Sequence, residues 1–150
     1  MPKTLDLPPL WLLACLCLAW AQKTALPLGL GFGPVWADLL GGLLVGGGVL
    51  LSLLALLEMR RARTTFMPHA EPDRLVTSGV FRLSRNPIYL GDVMILAGFI
   101  LFWDAVPSLV LLPIYVWLLE KRFIAPEEAR LRRKFVADFR RYETQTRRWL

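Results

Sequence analysis

Residues 39–57 read LLGGLLVGGGVLLSLLALL, a run without a single charge, bounded by Asp38 and Glu58. Wound as a helix at about 1.5 Å per residue, the run crosses ~30 Å of hydrocarbon. It is apolar on every face, whereas a helix on a soluble surface keeps a polar side. It therefore reads as a membrane span, and the rest of the chain sorts around it.

Three further apolar segments follow from the same criterion. The expected spans are residues 7–26, 37–58, 87–103 and 105–122, the last two joined by a tight turn at Asp104 and Pro107. Overall the chain has 150 residues, of which 55% are hydrophobic and 20% charged, yet its formal net charge is +6. Apolar content this high excludes disorder. Cys15 and Cys17, two apart in one apolar run, exclude a disulfide scaffold. With a single His, His69, read as a solvated loop residue, and no CxxC, a Cys/His zinc site is excluded and no metal is expected.

The basic residues are confined. Of the 18 Lys and Arg, all but Lys3 and Lys23 lie between Arg60 and Arg85 or between Lys121 and Arg148. The positive-inside bias makes both stretches cytoplasmic, so four spans put both termini on that side. The charge is thus an orientation signal, and no nucleic-acid partner is expected. The resulting expectation is an all-α integral membrane protein in one domain over 1–150. It has about four transmembrane helices, a cytoplasmic loop at 59–86 and an amphipathic cytoplasmic helix at 126–147. In that tail Leu131, Phe135, Phe139 and Tyr142 fall on one helical face, with arginines on the others. The Gly- and Pro-rich stretch Thr24–Trp36 reads as an external loop. A competing reading takes Lys3, the first apolar run and Ala19-Trp20-Ala21 as a cleaved secretory signal. Trp11 and Trp20, placed like interface anchors, favour a retained span.

In the second span Gly42 and Gly46 form a small-xxx-small pair, which lets another helix approach closely. That helix belongs either to the same chain or to a second copy in a homo-oligomer. Asp92 stands inside the third span, about 7–8 Å beyond Pro87. A carboxylate there is costly and needs a partner or a wet cavity; Arg85 and Arg122 are the expected partners. Asp6, outside the spans, reads as dispensable. Two local patterns also have purely structural readings. Asn86-Pro87 suits a helix start, with Asn as cap. Pro126-Glu127-Glu128 suits another, the glutamates complementing the helix dipole.

The stretch Leu75–Gly91, LVTSGVFRLSRNPIYLG, is followed after a two-span hairpin by EEARLRRKFVADFRRY at 127–142 and a terminal RRWL. Together these closely resemble the isoprenylcysteine carboxyl methyltransferase and phospholipid methyltransferase family of integral membrane enzymes. The resemblance covers residues ~64–150, in the order LVTxGxYxxxRHPxYxG, Glu-Glu, Phe-Gly and Tyr-x-x-Tyr. It implies S-adenosyl-L-methionine as cofactor, a site at the cytoplasmic face, and a lipidic or hydrophobic acceptor methylated on a carboxyl oxygen or an amine nitrogen. It implies cofactor contacts from Asn86, Tyr89, Leu90, Gly91, Glu127, Glu128 and Tyr142. Glu127, Arg85 and Arg122 would stand near the reacting groups, with Asp92 toward the acceptor. Membrane lipids surround such an enzyme, here expected in a bacterial inner membrane. Three positions depart from the pattern: Asn86 replaces His, Val136 replaces Gly, and Phe139 replaces the first Tyr. Two other functions stay open, a membrane reductase of the sterol-reductase type using a nicotinamide cofactor, and a non-catalytic membrane protein.

Overall fold

The computed structural model describes residues 6–64 and 70–150. Lys3 and His69 lie outside the described residues, and with them the reading of His69. The described chain is all helical, with no strand among the described residues. Four helices come first: α1 (Pro8–Ala25), α2 (Pro34–Arg61), α3 (Pro87–Phe102) and α4 (Leu111–Leu119). Two more complete the tail, α5 (Ala125–Lys134) and α6 (Val136–Gln145). Among the described helices, α2 alone is both long and apolar enough to cross a membrane by length and composition. Its apolar window is only 17% buried, so it is not the core helix of a soluble protein. Leu39, Leu43, Leu50, Leu53 and Leu57 all stand exposed along it. Proline opens α1, α2 and α3, where its missing N–H costs nothing.

α2 and α3 run antiparallel in close contact. Two glycine pairs permit this: Gly41 against Gly98, and Gly48 against Gly91. A Cβ on Gly98 would come within 2.6 Å of the Gly41 carbonyl oxygen, and one on Gly41 within 2.7 Å of the Gly98 oxygen. In each helix the two glycines are two turns apart, so each pair of turns brings backbone to backbone. Gly42 and Gly46, the pair singled out by spacing, have nothing within 4 Å and face away. Gly98→Ala is therefore expected to cost about 1–3 kcal/mol through overpacking. Gly42→Ala should be neutral or stabilising by up to ~1 kcal/mol, because alanine is the better helix former. Thermal unfolding in detergent separates the two, and equal losses would mean that the close interface lies elsewhere.

Between α3 and α4 the chain turns at Asp104, φ 55°, and a 3-10 segment, Val106–Val110, leads into α4, so that the α-helix expected from 105 begins at Leu111. Asp104 also fastens the loop after α1. Its carboxylate accepts the Phe32 N–H at 2.6 Å and pairs with Lys23 at 3.8 Å. Asp6 is not idle either. One oxygen accepts from Trp11 Nε1 at 3.0 Å and from Arg122 Nε at 2.7 Å, tying the start of α1 to the turn that follows α4.

The tail departs from expectation twice. Pro126 does not start a helix: α4 passes through a π-turn, Glu120–Ile124, straight into α5. Proline cannot donate to the carbonyl four residues back, and its ring crowds that carbonyl. The widened turn just ahead of it absorbs both defects, as π-bulges do. The glutamates thus do not sit at a free helix end, and the dipole account of them falls. The second departure is a break at Phe135, with φ −120° and ψ 51°, which splits the expected 126–147 helix into α5 and α6. A straight helix would hold residues 132 and 143 ~16 Å apart; the break instead brings Arg132 onto Glu143 as an ion pair.

Candidate functional site

The motif residues at the start of α3 are brought together with the tail by a C-terminal strap, residues 146–150. The Arg85 N–H donates to the Arg147 carbonyl at 3.0 Å, and the Ser84 hydroxyl to the Arg148 carbonyl at 3.3 Å. Asn86 begins α3 but makes no side-chain cap. Its amide instead donates to the Arg148 carbonyl at 3.0 Å. Trp149 Nε1 donates to Glu120 at 2.8 Å, closing the strap onto the π-turn. Tyr142, on α6, spends its hydroxyl on the carbonyls of Phe81 and Ser84, locking the 3-10 turn Gly79–Arg82. That turn needs glycine at its first position. Gly79 has φ 59°, and a Cβ there would collide with the Glu58 side chain.

Glu127 and Glu128 are neighbours on α5, so they point about 100° apart. Glu128 is 3% exposed and sits in a cage of guanidinium groups. Arg148 grips it through two bonds, 3.0 and 2.8 Å; Arg85 lies at 3.4 Å and Arg132 at 3.6 Å. Glu143 balances the same cluster, pairing with Arg85 at 3.1 Å and with Arg132. The Arg132 hydrogen bond holds the Glu143 carboxyl below the usual range, and its bond to Glu128 raises Arg148. Burial raises the Tyr142 phenol.

Glu127 faces the other way. It accepts the Tyr89 hydroxyl at 3.1 Å, and the Tyr89 ring packs on Phe123 with 6.3 Å between centroids. Two cavities meet at this point. The larger, about 300 Å³, is mostly apolar and lies among the starts of α1 and α3 and the end of α2. The smaller, about 70 Å³, is enclosed by the loop before α3, α5 and α6. Both are walled by Met59, Phe81, Arg85, Asn86 and Glu127. Glu127 is thus the one acid on both. Arg85 Nε is buried there without a partner among the described residues, a donor awaiting an acceptor.

The other expected residues go elsewhere. Arg122 turns to Asp6, with its guanidinium 5.3 Å from the Trp11 ring centroid. Gly91 is used up in the α2 contact, and Leu90 is half-buried on α3. Asp92 lines the larger cavity, but neither expected arginine reaches it; the Tyr115 hydroxyl does, at 3.5 Å. Sequence reasoning missed Arg148, Glu143 and Ser84 as parts of the site. The only available signal was the terminal RRWL, which reads locally as a charged end.

The chain matches the family model of phospholipid methyltransferases over residues 36–138. No curated protein and no solved structure matches it. The matched segment runs from the start of α2 into α6, and so contains Glu127, Glu128 and both glycine pairs, while Glu143 and Arg148 lie beyond it.

Proposed function

We infer the activity from one premise: this chain belongs to the phospholipid methyltransferase family, a family of integral membrane methyltransferases. The reading is S-adenosyl-L-methionine-dependent methyl transfer to a lipidic or hydrophobic acceptor at the cytoplasmic membrane face. The observation that carries it is Glu127, set where a mostly apolar cavity adjoins a smaller one that also has Arg74, Arg85 and Glu128 on its wall. When bound, S-adenosyl-L-methionine supplies an electrophilic methyl on a cationic sulfonium. Glu127 is a suitable partner for that cation, steadied by the Tyr89 hydroxyl. The orphan Arg85 Nε is a suitable donor to the cofactor's carboxylate. The apolar walls exclude water, so that alignment supplies most of the catalysis.

Glu128 and Asn86 serve this site indirectly, by holding the strap that closes it. The smaller cavity is well below the ~300–1,000 Å³ of small-molecule pockets. Cofactor entry in this reading therefore joins the two cavities across their shared wall or displaces the strap.

In the same reading α1, α3 and the α4 run span the membrane beside α2, with both termini cytoplasmic. A reporter fused to the C-terminus should be active only in the cytoplasm; activity only on the opposite side overturns the topology. The deciding experiment is transfer of radiolabelled methyl from S-adenosyl-L-methionine to a membrane lipid extract by the purified protein, with identification of the labelled product. A protein that neither binds the cofactor nor labels any lipid would defeat the reading.

A further inference from the structure

The arginines around the site already described are matched to acids: Arg85 and Arg148 to Glu128, Arg132 to Glu143, and Arg122 to Asp6. A second basic group on α5 is not. Arg130, Arg133 and Lys134 form no ion pair among the described residues. Spaced three and four apart, they share one face of the helix, where like charges repel and weaken it. Together they line a third cavity, about 410 Å³, which the loop before α3 closes with Glu71 and Pro72. Glu71 offsets only one of the three cations, and its side chain is exposed, so it can turn to water.

The donors on this wall lack acceptors. Arg130 Nε is buried without a partner among the described residues. A buried donor of this kind is costly unless something accepts from it. Arg133 spends its Nε on the Ala129 carbonyl at 3.3 Å, which leaves its two terminal nitrogens uncommitted among the described residues. Lys134 lies 5.9 Å from the Phe135 ring centroid, a contact that gives its ammonium no acceptor oxygen.

The donor set narrows the ligand. A carboxylate brings one charge and matches one guanidinium. A phosphate monoester brings close to two charges and three acceptor oxygens, enough to engage both guanidinium groups and the ammonium together. The volume falls within the ~300–1,000 Å³ of small-molecule pockets, so the phosphate can be carried on a larger molecule.

We propose that Arg130, Arg133 and Lys134 form a phosphate-binding site on α5, separate from the cofactor's, which takes the phosphate group of a soluble phosphoester or of a bound lipid headgroup. The site lies beyond the methyl-transfer reading, because S-adenosyl-L-methionine carries no phosphate. Pro72 stands on the wall of both this cavity and the smaller one, so the two are neighbours that share a partition.

The test uses the full chain in phosphatidylcholine nanodiscs, with pyrophosphate as the probe, titrated by calorimetry at fixed ionic strength. Wild type should bind it saturably. Replacing both arginines, Arg130→Gln with Arg133→Gln, should weaken binding at least ~tenfold. Arg140→Gln with Arg141→Gln removes the same charge from the exposed side of α6 and should change binding less than about twofold. Melting curves check that both double variants fold. Arg133 is exposed, so Arg133→Gln alone should fold in any case and should weaken binding at least ~threefold. Equal weakening in the two double variants would reduce the effect to net charge and overturn the proposal, as would the absence of saturable binding. Displacement of pyrophosphate by S-adenosyl-L-methionine would give the cavity to the cofactor and overturn it too. Phosphatidic acid in place of about a tenth of the phosphatidylcholine separates the two sources, with an anionic sulfolipid at equal charge as control. Competition by phosphatidic acid alone assigns the phosphate to a lipid headgroup; no competition assigns it to a soluble phosphoester. Labelled-methyl transfer is scored separately, so either reading can fail without the other.

Discussion

Glu128→Gln should cost the protein about 3 kcal/mol of stability, near the lower end of the ~3–5 kcal/mol seen when one partner of a buried ion pair is removed. The glutamate is almost fully enclosed, and Arg148, Arg85 and Arg132 all converge on it. Glutamine keeps the shape but leaves those guanidinium groups with a neutral oxygen. The estimate sits low because Arg132 and Arg148 still reach solvent, where screening weakens such pairs. Arg148→Met should cost less, since Arg85 and Arg132 still satisfy Glu128. If the strap is held by this pair, the double variant will cost less than the sum of the two single ones. Thermal unfolding of the four proteins in detergent makes the comparison, and strict additivity would show that Glu128 and Arg148 do not act on each other. The cluster also predicts acid sensitivity. Glu143 has its folded-state pKa depressed, chiefly by the Arg132 hydrogen bond. Its contribution is fully present above about 4.3, the unfolded value for glutamate, and is lost as pH falls through the lower folded value.

What could be read from the sequence and what could not divide along physical lines. The approximate positions of α1, α2 and α3 were legible because an uncharged run is a local signal, helped at α3 by Asn86-Pro87; the ends were not, since α1 runs to Ala25 and α2 begins at Pro34, both inside the stretch read as a loop. The face of α2 that meets α3 was not legible. A helix apolar on all sides has no polar face to set its rotation. Two glycine sets overlap on it, and the one with the better-known spacing, Gly42 and Gly46, is not the one in contact. The tail misled for a related reason. Its 3.6-residue pattern continues through the break at Phe135, so periodicity alone predicts one helix. Pro126 and two glutamates imitate a helix start, and only the π-turn ahead of them shows that the helix has already begun. Asp92 announced its need for a partner, but Tyr115 is 23 residues away on another helix. The strap's role could not be read from the terminal RRWL that marks it, because its bonds to Ser84, Asn86 and Glu128 all join residues distant in sequence.

These differences divide the glutamate pair into two jobs, which a second substitution tests. Glu127→Gln should cost clearly less thermal stability than Glu128→Gln, because it leaves the Arg148, Arg85 and Arg132 pairs to Glu128 in place and the amide still offers Tyr89 an oxygen. Its effect should fall on the cofactor. Replacing a carboxylate by a neutral amide opposite a cation removes one charge-assisted interaction, ordinarily about 1.5–3 kcal/mol. Affinity for S-adenosyl-L-methionine should therefore drop at least ~tenfold, which is about 1.4 kcal/mol. S-adenosylhomocysteine, which has lost the sulfonium charge, should be much less affected. Titration calorimetry with both ligands measures the difference. If Glu127 instead served only to hold Tyr89, the two ligands would weaken equally. If Glu128 were the cofactor's acid, Glu127→Gln would bind both ligands as wild type does. A loss confined to the charged ligand, in a protein that melts normally, would assign the cation to Glu127 and the architecture to Glu128.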